Sequence, residues 1–480
     1  MFQMTRVLSY GALAGFLVFV FFYAMADTLS TCTRSRPWNC LELQRIHAEP
    51  QHLIPDFSQY TPLITLSSRE FPIDDPNRSV IIVGDIHGMR NYLEKLLKKA
   101  NYNPLQDVLI HVGDIISKGP HQGSLDTLDF MTAHNVTGVR GNHDQQVVEW
   151  RGWLGWISTM PRAAKWLQNL EQRWNEAQSD DDEDDTTLEF WLRKARSSAS
   201  REEKSFWKLV PEDWLLFDAH YAIARDMTDM HYQYLLKLPL RLYIPSAHTF
   251  IVHAGLLPYN PHYPPEDASK QPLARIPTLR FTEPSQEDRI EKLRNLQEIA
   301  ILKDIPQNTD PWVTLNMRSV AKGKVKKKAK EGKPWSKIWN QHMKNCVGYG
   351  RHGAKAQRPW SMEDIEDDDN GVEFDFDNFE MSSTKKMRLL CYPSTTIYGH
   401  AAARGLEVKR WSFGLDTGCV YEKKLTALVI GGKALKHGAG IIGFEEYQEG
   451  ADQFTMAKEK KHIPFGDNAL ARTVSVRCRN

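Results

Sequence analysis

VIIVGDIHG, residues Val80–Gly88, decides how this chain is read. Val80–Val83 is a short apolar run of strand character, and directly behind it the backbone turns at Gly84 and sets Asp85 and His87 close together. The pattern then recurs along the chain. Val108–Val112 runs into GDIISKGP (Gly113–Pro120), Val136–Arg140 into GNHD (Gly141–Asp144), Phe250–Val252 into His253 of IVHAGLLP, and Thr395–Tyr398 into His400 of IYGHAA. Behind the first motif, Asn91–Ala100 carries Leu93, Leu96 and Leu97 at i, i+3 and i+4, which predicts a helix buried on one face. Strand, polar loop, helix, strand is a βαβ ladder. Its right-handed crossovers gather the loops at one sheet edge, outside the carboxyl ends of the strands.

The loops supply two aspartates, an asparagine and three histidines. Carboxylate, imidazole and amide oxygen together suit divalent cations that activate water, and the set is large enough for two of them side by side. A lone Gly-Asp turn or a single buried histidine is usually structural; five such segments in one order are a much more specific signal. Gly84, Gly113 and Gly141 are expected to let the backbone turn tightly beneath each donor, where side chains would crowd the cations.

The order and wording of these segments resemble the calcineurin-like metallophosphoesterases, in the branch of the protein Ser/Thr phosphatases and the bacterial diadenosine tetraphosphatases. The resemblance covers about Ser79 to Ile430. GNHD stands where the protein phosphatases have GNHE, GDIISKGP where they have GDxVDRG, and LDTGCVYEKKLTAL (Leu415–Leu428) looks like the closing hairpin of the tetraphosphatase-like group. With an apolar segment in front, the nearest match is to the fungal vacuolar zinc-dependent endopolyphosphatases. The resemblance implies an α/β fold, a four-layer α/β/β/α sandwich with helical and charged insertions, behind one N-terminal transmembrane helix.

It also implies roles. Asp85 and His87 would hold one metal, Asp114 would bridge both, and Asn142, His253 and His400 would complete the second. The metals would be two divalent ions, zinc by resemblance, with Mn, Co or Fe suited to the same donors. His143 would protonate the leaving oxygen as general acid. In the protein phosphatases the second Asp of GDxVDRG orients that histidine; Ser117 stands at this position here. An alkoxide leaving group needs its proton more than a phosphate does, so the missing carboxylate leans toward anhydride cleavage, unless Asp144 or a buried residue elsewhere takes over the orientation. Lys118, in place of the family's arginine, is expected to meet substrate phosphate as a point charge. Arg140 and Arg318 are further candidates for phosphate contact.

Residues 1–6 read as a short tail and 7–26 as a transmembrane signal anchor: Val7–Ala26 is apolar throughout, and about 20 residues span the roughly 30 Å bilayer core. A cleaved signal peptide is the alternative, since Ala24-Met25-Ala26 has the small-x-small pattern, but the apolar run exceeds the usual h-region. Residues 27–77 read as a stem, 78–430 as the catalytic domain with insertions at about 150–235 and 320–385, and 431–480 as a C-terminal extension. Sequons at Asn77 and Asn135 and a Cys32–Cys40 pairing fit a lumenal body; Cys346, Cys391, Cys419 and Cys478 lack metal-type spacing and are expected as buried thiols.

The net charge of +1 excludes a generally basic nucleic-acid binder. The charge is segregated, however: Asp180–Asp185 and Glu363–Glu380 are acidic, whereas Ala321–Lys337 carries eight lysines. All three are expected as solvated loops, the lysine run with the sharper alternative of a landing strip for a polyanion. The expected function is hydrolysis of phosphoanhydride bonds, with inorganic polyphosphate cut internally in the vacuole lumen by an enzyme held at the membrane through its N-terminal span. The rivals are a bis(5'-nucleosyl)-tetraphosphatase or Ser/Thr protein phosphatase and, in another class, a membrane-tethered phosphate-binding protein without turnover.

Overall fold

The computed structural model describes residues 54–179, 187–279, 285–349, 387–432 and 462–479. The apolar segment Val7–Ala26, the Cys32–Cys40 pair and both acidic runs lie outside the described residues. Among the described residues no helix is long and apolar enough to cross a membrane. The chain divides into two units. The smaller includes Ala199–Trp214, where Ser200 caps the helix Arg201–Trp207 and Glu203 returns a bond to the Ser200 amide. The larger, from Phe57 to Ser198 and from Leu215 onward, holds all five motifs.

Among the described residues, two six-stranded sheets form the core of the larger unit. One runs Ile463–Phe465, Ala469–Arg477, Lys424–Gly431, Ser79–Val83, Val108–His111, Thr137–Gly138, its last three strands parallel. The other runs Ile64–Thr65, Arg241–Ile244, Thr249–Val252, Thr395–Tyr398, Ser412–Gly414, Glu407–Lys409, with Thr249–Val252, Thr395–Tyr398 and Ser412–Gly414 parallel. Successive side chains on a strand point to opposite faces, and the core divides accordingly. Val80, Ile82, Ile110 and Leu428 from the first sheet meet Leu242, Ile251, Ile397 and Phe413 from the second in one apolar cluster between the sheets. The alternate residues Tyr243, Phe250, Val252 and Tyr398 pack on the far side against the helices Gln286–Asp304 and Trp335–Lys344. Over the first sheet lies the helix Arg90–Lys99, burying Leu93, Leu96 and Leu97 as the periodicity predicts. Helix, sheet, sheet, helix is the expected layering. Runs such as VIIV are apolar throughout because both faces of their strands are covered, each buried Ile or Val being worth about 1.5–3 kcal/mol.

Several boundaries differ from expectation. Part of the stretch read as stem is in the second sheet: Ile64–Thr65 pairs with Leu242 and Tyr243, and Phe71 is buried. The stretch read as an extension supplies two strands of the first sheet, with Ala471–Arg477 paired against Lys424–Ile430. Both are short or amphipathic strands that gain definition only from a partner distant in sequence. Ser412–Gly414 and Lys424–Gly431 belong to different sheets, so LDTGCVYEKKLTAL crosses between layers instead of forming the expected closing hairpin. The four cysteines expected as thiols form disulfides, Cys346–Cys391 and Cys419–Cys478, 45 and 59 residues apart. Strand pairing brings each couple together: Cys346 lies beside Leu389, and Lys424, five residues after Cys419, pairs with Arg477. The lysine-rich stretch is ordered as a three-stranded antiparallel sheet of Ser319–Ala321, Lys324–Lys326 and Lys333–Pro334.

Candidate metal centre

All five motif loops leave the carboxyl ends of their strands and converge. The donor atoms of Asp85, His87 and Asp114 lie within 4.8 Å of one another, as do those of Asp114, His253 and His400, and every one of these residues is buried. Asp114 is common to both trios. Asn142 joins the second, its Oδ1 3.1 Å from His253 Nε2, which is itself 3.1 Å from His400 Nδ1. His253 Nδ1 donates to the Val112 carbonyl at 2.9 Å, which leaves Nε2 as its donor atom toward a cation.

The backbone is bent to achieve this. His87, Asp114 and His400 all have left-handed φ, at +50°, +50° and +61°, as do Ser117 and Lys118 at +72° and +61°. Such conformations cost a non-glycine residue about 1–3 kcal/mol each and cluster at sites that surrounding structure over-determines. Two glycines are required by close approach. A Cβ on Gly141 or on Gly399 would sit 2.1 Å from the carboxylate oxygen Oδ1 of Asp114 or of Asp85 respectively. Gly84 serves another purpose than expected, because its Cβ would strike the Leu415 carbonyl and not a donor.

The electrostatics fit the donor set to cations. Burial, together with the negative charges of Asp416 and Asp114, pushes the Asp85 carboxyl well above the ordinary carboxylate range. Burial also opposes ionisation of Asp114, but the neighbouring His253, His143 and His87 outweigh it and hold this carboxyl well below that range. Three buried carboxyl groups, Asp85, Asp114 and Asp416, thus converge on one small volume with imidazoles as their main compensation. That is the situation two divalent ions relieve.

Two neighbours stiffen the centre. Asp114 Oδ1 accepts from the His143 amide at 2.9 Å, in the first turn of the helix Asn142–Ser158. Asp144 spans the loops by accepting from the amides of Asp114, Ile115 and Gly141 at 2.9, 3.0 and 2.8 Å. Burial, and then the charge of Asp114, raises the Asp144 carboxyl to about 7. Asp144 therefore braces backbone and does not orient His143.

The remaining expected residues separate. Lys118 is exposed, its ammonium 5.9 Å from the Tyr421 ring centroid and close enough to Asp85, His87 and His143 to bias all three electrostatically. Arg318 lies at the rim: Nε donates to the His400 carbonyl and Nη1 to the Lys327 carbonyl, both at 3.1 Å, while its amide bonds the Lys326 carbonyl at 2.9 Å. It thereby joins a donor loop to the lysine-rich sheet. Arg140 is not at the substrate face. It is fully buried, its guanidinium donating to Gln59 O, to Gln145 Oε1 at 2.8 Å and to Leu236 O at 2.7 Å. Its place before GNHD suggested phosphate contact; in the fold the arginine turns away from the loop to satisfy carbonyls beneath it.

One pair of residues had no reading in the sequence. His143 Nδ1 lies 2.8 Å from His220 Nε2, with the two ring planes 7° apart, and His220 Nδ1 lies 3.0 Å from Asp218 Oδ2. Ser117 Oγ, at the position of the family's orienting carboxylate, has no hydrogen-bond partner among the described residues. The only local signal is Asp218 as an N-cap, two residues ahead of a histidine, inside an insertion read merely as helical.

The chain is similar in part to known proteins. Residues 78–314 match the calcineurin-like phosphoesterase family. This stretch is a calcineurin-like metallophosphoesterase region of mixed α/β fold. Its match ends before His400, which the fold alone brings to the centre. Over 92 residues the chain is 38% identical to serine/threonine-protein phosphatase 1 of Salmonella typhimurium, covering 19% of this chain and 38% of that protein. Over 65 residues it is 45% identical to a symmetrical bis(5'-nucleosyl)-tetraphosphatase of Actinobacillus pleuropneumoniae, covering 13% and 23%. The chain spans well under half the length of these relatives. A solved structure of a protein proposed to be a diadenosine tetraphosphatase aligns over 77% of this chain and 94% of its own, at 20% identity and a TM-score of 0.35.

Proposed function

We propose that the protein is a dimetal phosphohydrolase that cuts phosphoanhydride bonds, with inorganic polyphosphate, cleaved internally, as its preferred substrate. The observation that carries this reading is Asp114, one buried carboxylate shared by two donor trios. Asp85 and His87 would hold one ion, Asn142, His253 and His400 the other, with Asp114 between them. Bound there, the ions would supply Lewis-acid activation of water and of the phosphoryl oxygens. The chain's own groups do the rest. Lys118 and Arg318 offer positive charge to the non-bridging oxygens, and His143 stands beside His87, ring centroids 5.4 Å apart, to hand a proton to the departing oxygen.

The choice of a long polyanion is supported by the lysine-rich sheet and its attachment. Arg318 links the His400 loop directly to Lys326 and Lys327, so a cationic strip begins at the rim of the centre. Against a nucleotide substrate, Trp150, Trp153, Trp335 and Trp339 are all buried in the core and offer no face to a base. Ser117 in place of a carboxylate does not leave His143 without a partner, because His220 stands 2.8 Å from its Nδ1. Tyr421, exposed beside Lys118, is the observation that favours a second reading, dinucleoside tetraphosphate hydrolysis with one base on that ring.

Two disulfides within the described residues support an oxidising compartment. The zinc content, the membrane anchor at residues 7–26 and residence in the vacuole lumen belong to the same proposal. The test is to incubate the full-length protein, in detergent, with long polyphosphate, diadenosine tetraphosphate and a phosphopeptide. A ladder of intermediate polyphosphate lengths is expected. Release of orthophosphate alone would overturn internal cutting, and preference for the dinucleotide would select the second reading. Alkaline extraction of membranes, with protease protection, tests the anchor and its orientation.

A further inference from the structure

The geometry points to His220 and Asp218 as a positioning pair that fixes the tautomer and ring orientation of His143. The inference rests on His143 being the proton donor of the proposed reaction, and it adds two residues to that reading. With Asp218 ionised and His220 neutral, the chain of bonds runs one way. An ionised carboxylate only accepts, so the proton on His220 sits at Nδ1, toward Asp218 Oδ2 at 3.0 Å. Neutral His220 then presents a bare Nε2, which accepts from His143 Nδ1 at 2.8 Å. His143 is thereby committed to carrying a proton at Nδ1, and Nε2 is the nitrogen left to exchange a proton with substrate. The two ring planes lie 7° apart with centroids 5.1 Å apart, so the contact joins two nearly parallel imidazoles.

The pair is held rigidly enough to position another residue. Asp218 uses its second oxygen, Oδ1, to cap the helix Ala219–Asp226 through the Tyr221 amide at 2.8 Å. Tyr221 is buried, and its ring packs edge-on to Trp150 of the helix Asn142–Ser158, 5.3 Å between centroids. The helix that offers His220 is therefore locked to the helix whose first turn carries His143. At its other end, Asp226 pairs with His121 at 3.0 Å. The carboxylate that the resemblance places on the Gly113–Pro120 loop is replaced by one acting through an imidazole, that of His220, which lies 77 residues after His143.

The test uses His220→Ala and Asp218→Ser, the second chosen because serine keeps the helix cap while removing the carboxylate. With histidine-selective 15N labelling of the full chain, the wild type should show a hydrogen-bonded imidazole N–H proton at low field, lost in both His143→Gln and His220→Ala. Its absence in the wild type, or its survival in His220→Ala, would overturn the pairing. This readout requires no turnover. In assays, His220→Ala and Asp218→Ser should lose about 10²-fold or more in kcat on phenyl phosphate, whose leaving group needs a proton. They should lose only a few-fold on 2,4-dinitrophenyl phosphate, with metal content unchanged. Equal losses on both esters would assign the pair to the integrity of the centre and overturn the positioning role. Failure of the wild type on every phosphate substrate would instead overturn the proposed function and leave the spectroscopic result standing.

Discussion

The two walls of the centre are built in opposite ways. The strand-end loops carry donors on strained backbone: His87, Asp114 and His400 are left-handed, and glycines are required where Asp85 and Asp114 need room. The helical wall carries His143, His220 and Asp218 on unstrained first turns, with ordinary N-caps. A loop reaching for a cation must present several donors within a few ångströms, and short loops do this only by bending. A helix positions one group at a time and does so through packing. The loop wall thus concentrates its specificity in a few residues, whereas the helical wall spreads it through buried neighbours such as Tyr221 and Trp150.

The largest expected effect is on the loop wall. Asp114→Asn keeps the volume of the side chain but removes the charge shared by both trios. Turnover should fall by about 10³-fold or more while circular dichroism and melting change little. Retention of more than a few per cent of wild-type turnover would remove Asp114 from between the two trios and with it the contrast between the walls.

Arg140→Met tests whether the GNHD segment is held from beneath. It strands the part-buried carbonyls of Gln59 and Leu236 and the buried Gln145 side chain, and should cost about 3 kcal/mol of stability. That is a lower denaturation midpoint with unchanged KM. A raised KM with unaltered stability would return the arginine to the substrate face.

His253→Ala and His400→Ala should each remove one of two bound metals, read by elemental analysis, because both belong to a single trio. Unchanged stoichiometry in both variants would confine the loop wall to the Asp85, His87 and Asp114 side.

The smallest effect is expected at the rim. Replacing Lys324, Lys326, Lys327, Lys328 and Lys330 with Gln should weaken capture of long polyphosphate by about tenfold at low salt, since a long anion engages strip and centre together. Tripolyphosphate turnover should hardly change. The long-chain effect should fade as the Debye length shrinks from about 10 Å at 0.1 M salt toward about 3 Å at 1 M. Equal losses on both substrates would make the lysine sheet a structural support of the His400 loop.

The strands and the polar residues at their ends were legible because each is a local pattern, an apolar run followed by a polar residue, with glycine between them before Asp85, Asp114, Asn142 and His400; the layered fold came from the resemblance. Strands outside the motif-bearing stretch were less legible. Ile64–Thr65 is too short to show a period, and Ala469–Arg477 alternates but lies well outside the motif-bearing stretch. Arg140 illustrates a different limit. Its proximity to GNHD in sequence says nothing about direction, and the same position serves a phosphate or a buried carbonyl equally well until the surrounding backbone is known.

The sequence by itself determined which polar side chains emerge at the carboxyl ends of the strands, because strand polarity and short-range turn chemistry dictate this. Tertiary structure alone decided how cysteines 45 and 59 residues apart become disulfides, how Arg318 ties a lysine sheet to the His400 loop, and which group faces His143. Those pairings join segments between 45 and 82 residues apart. No local period encodes such distances; they follow from which apolar faces bury each other, and the polar partners are carried along with them.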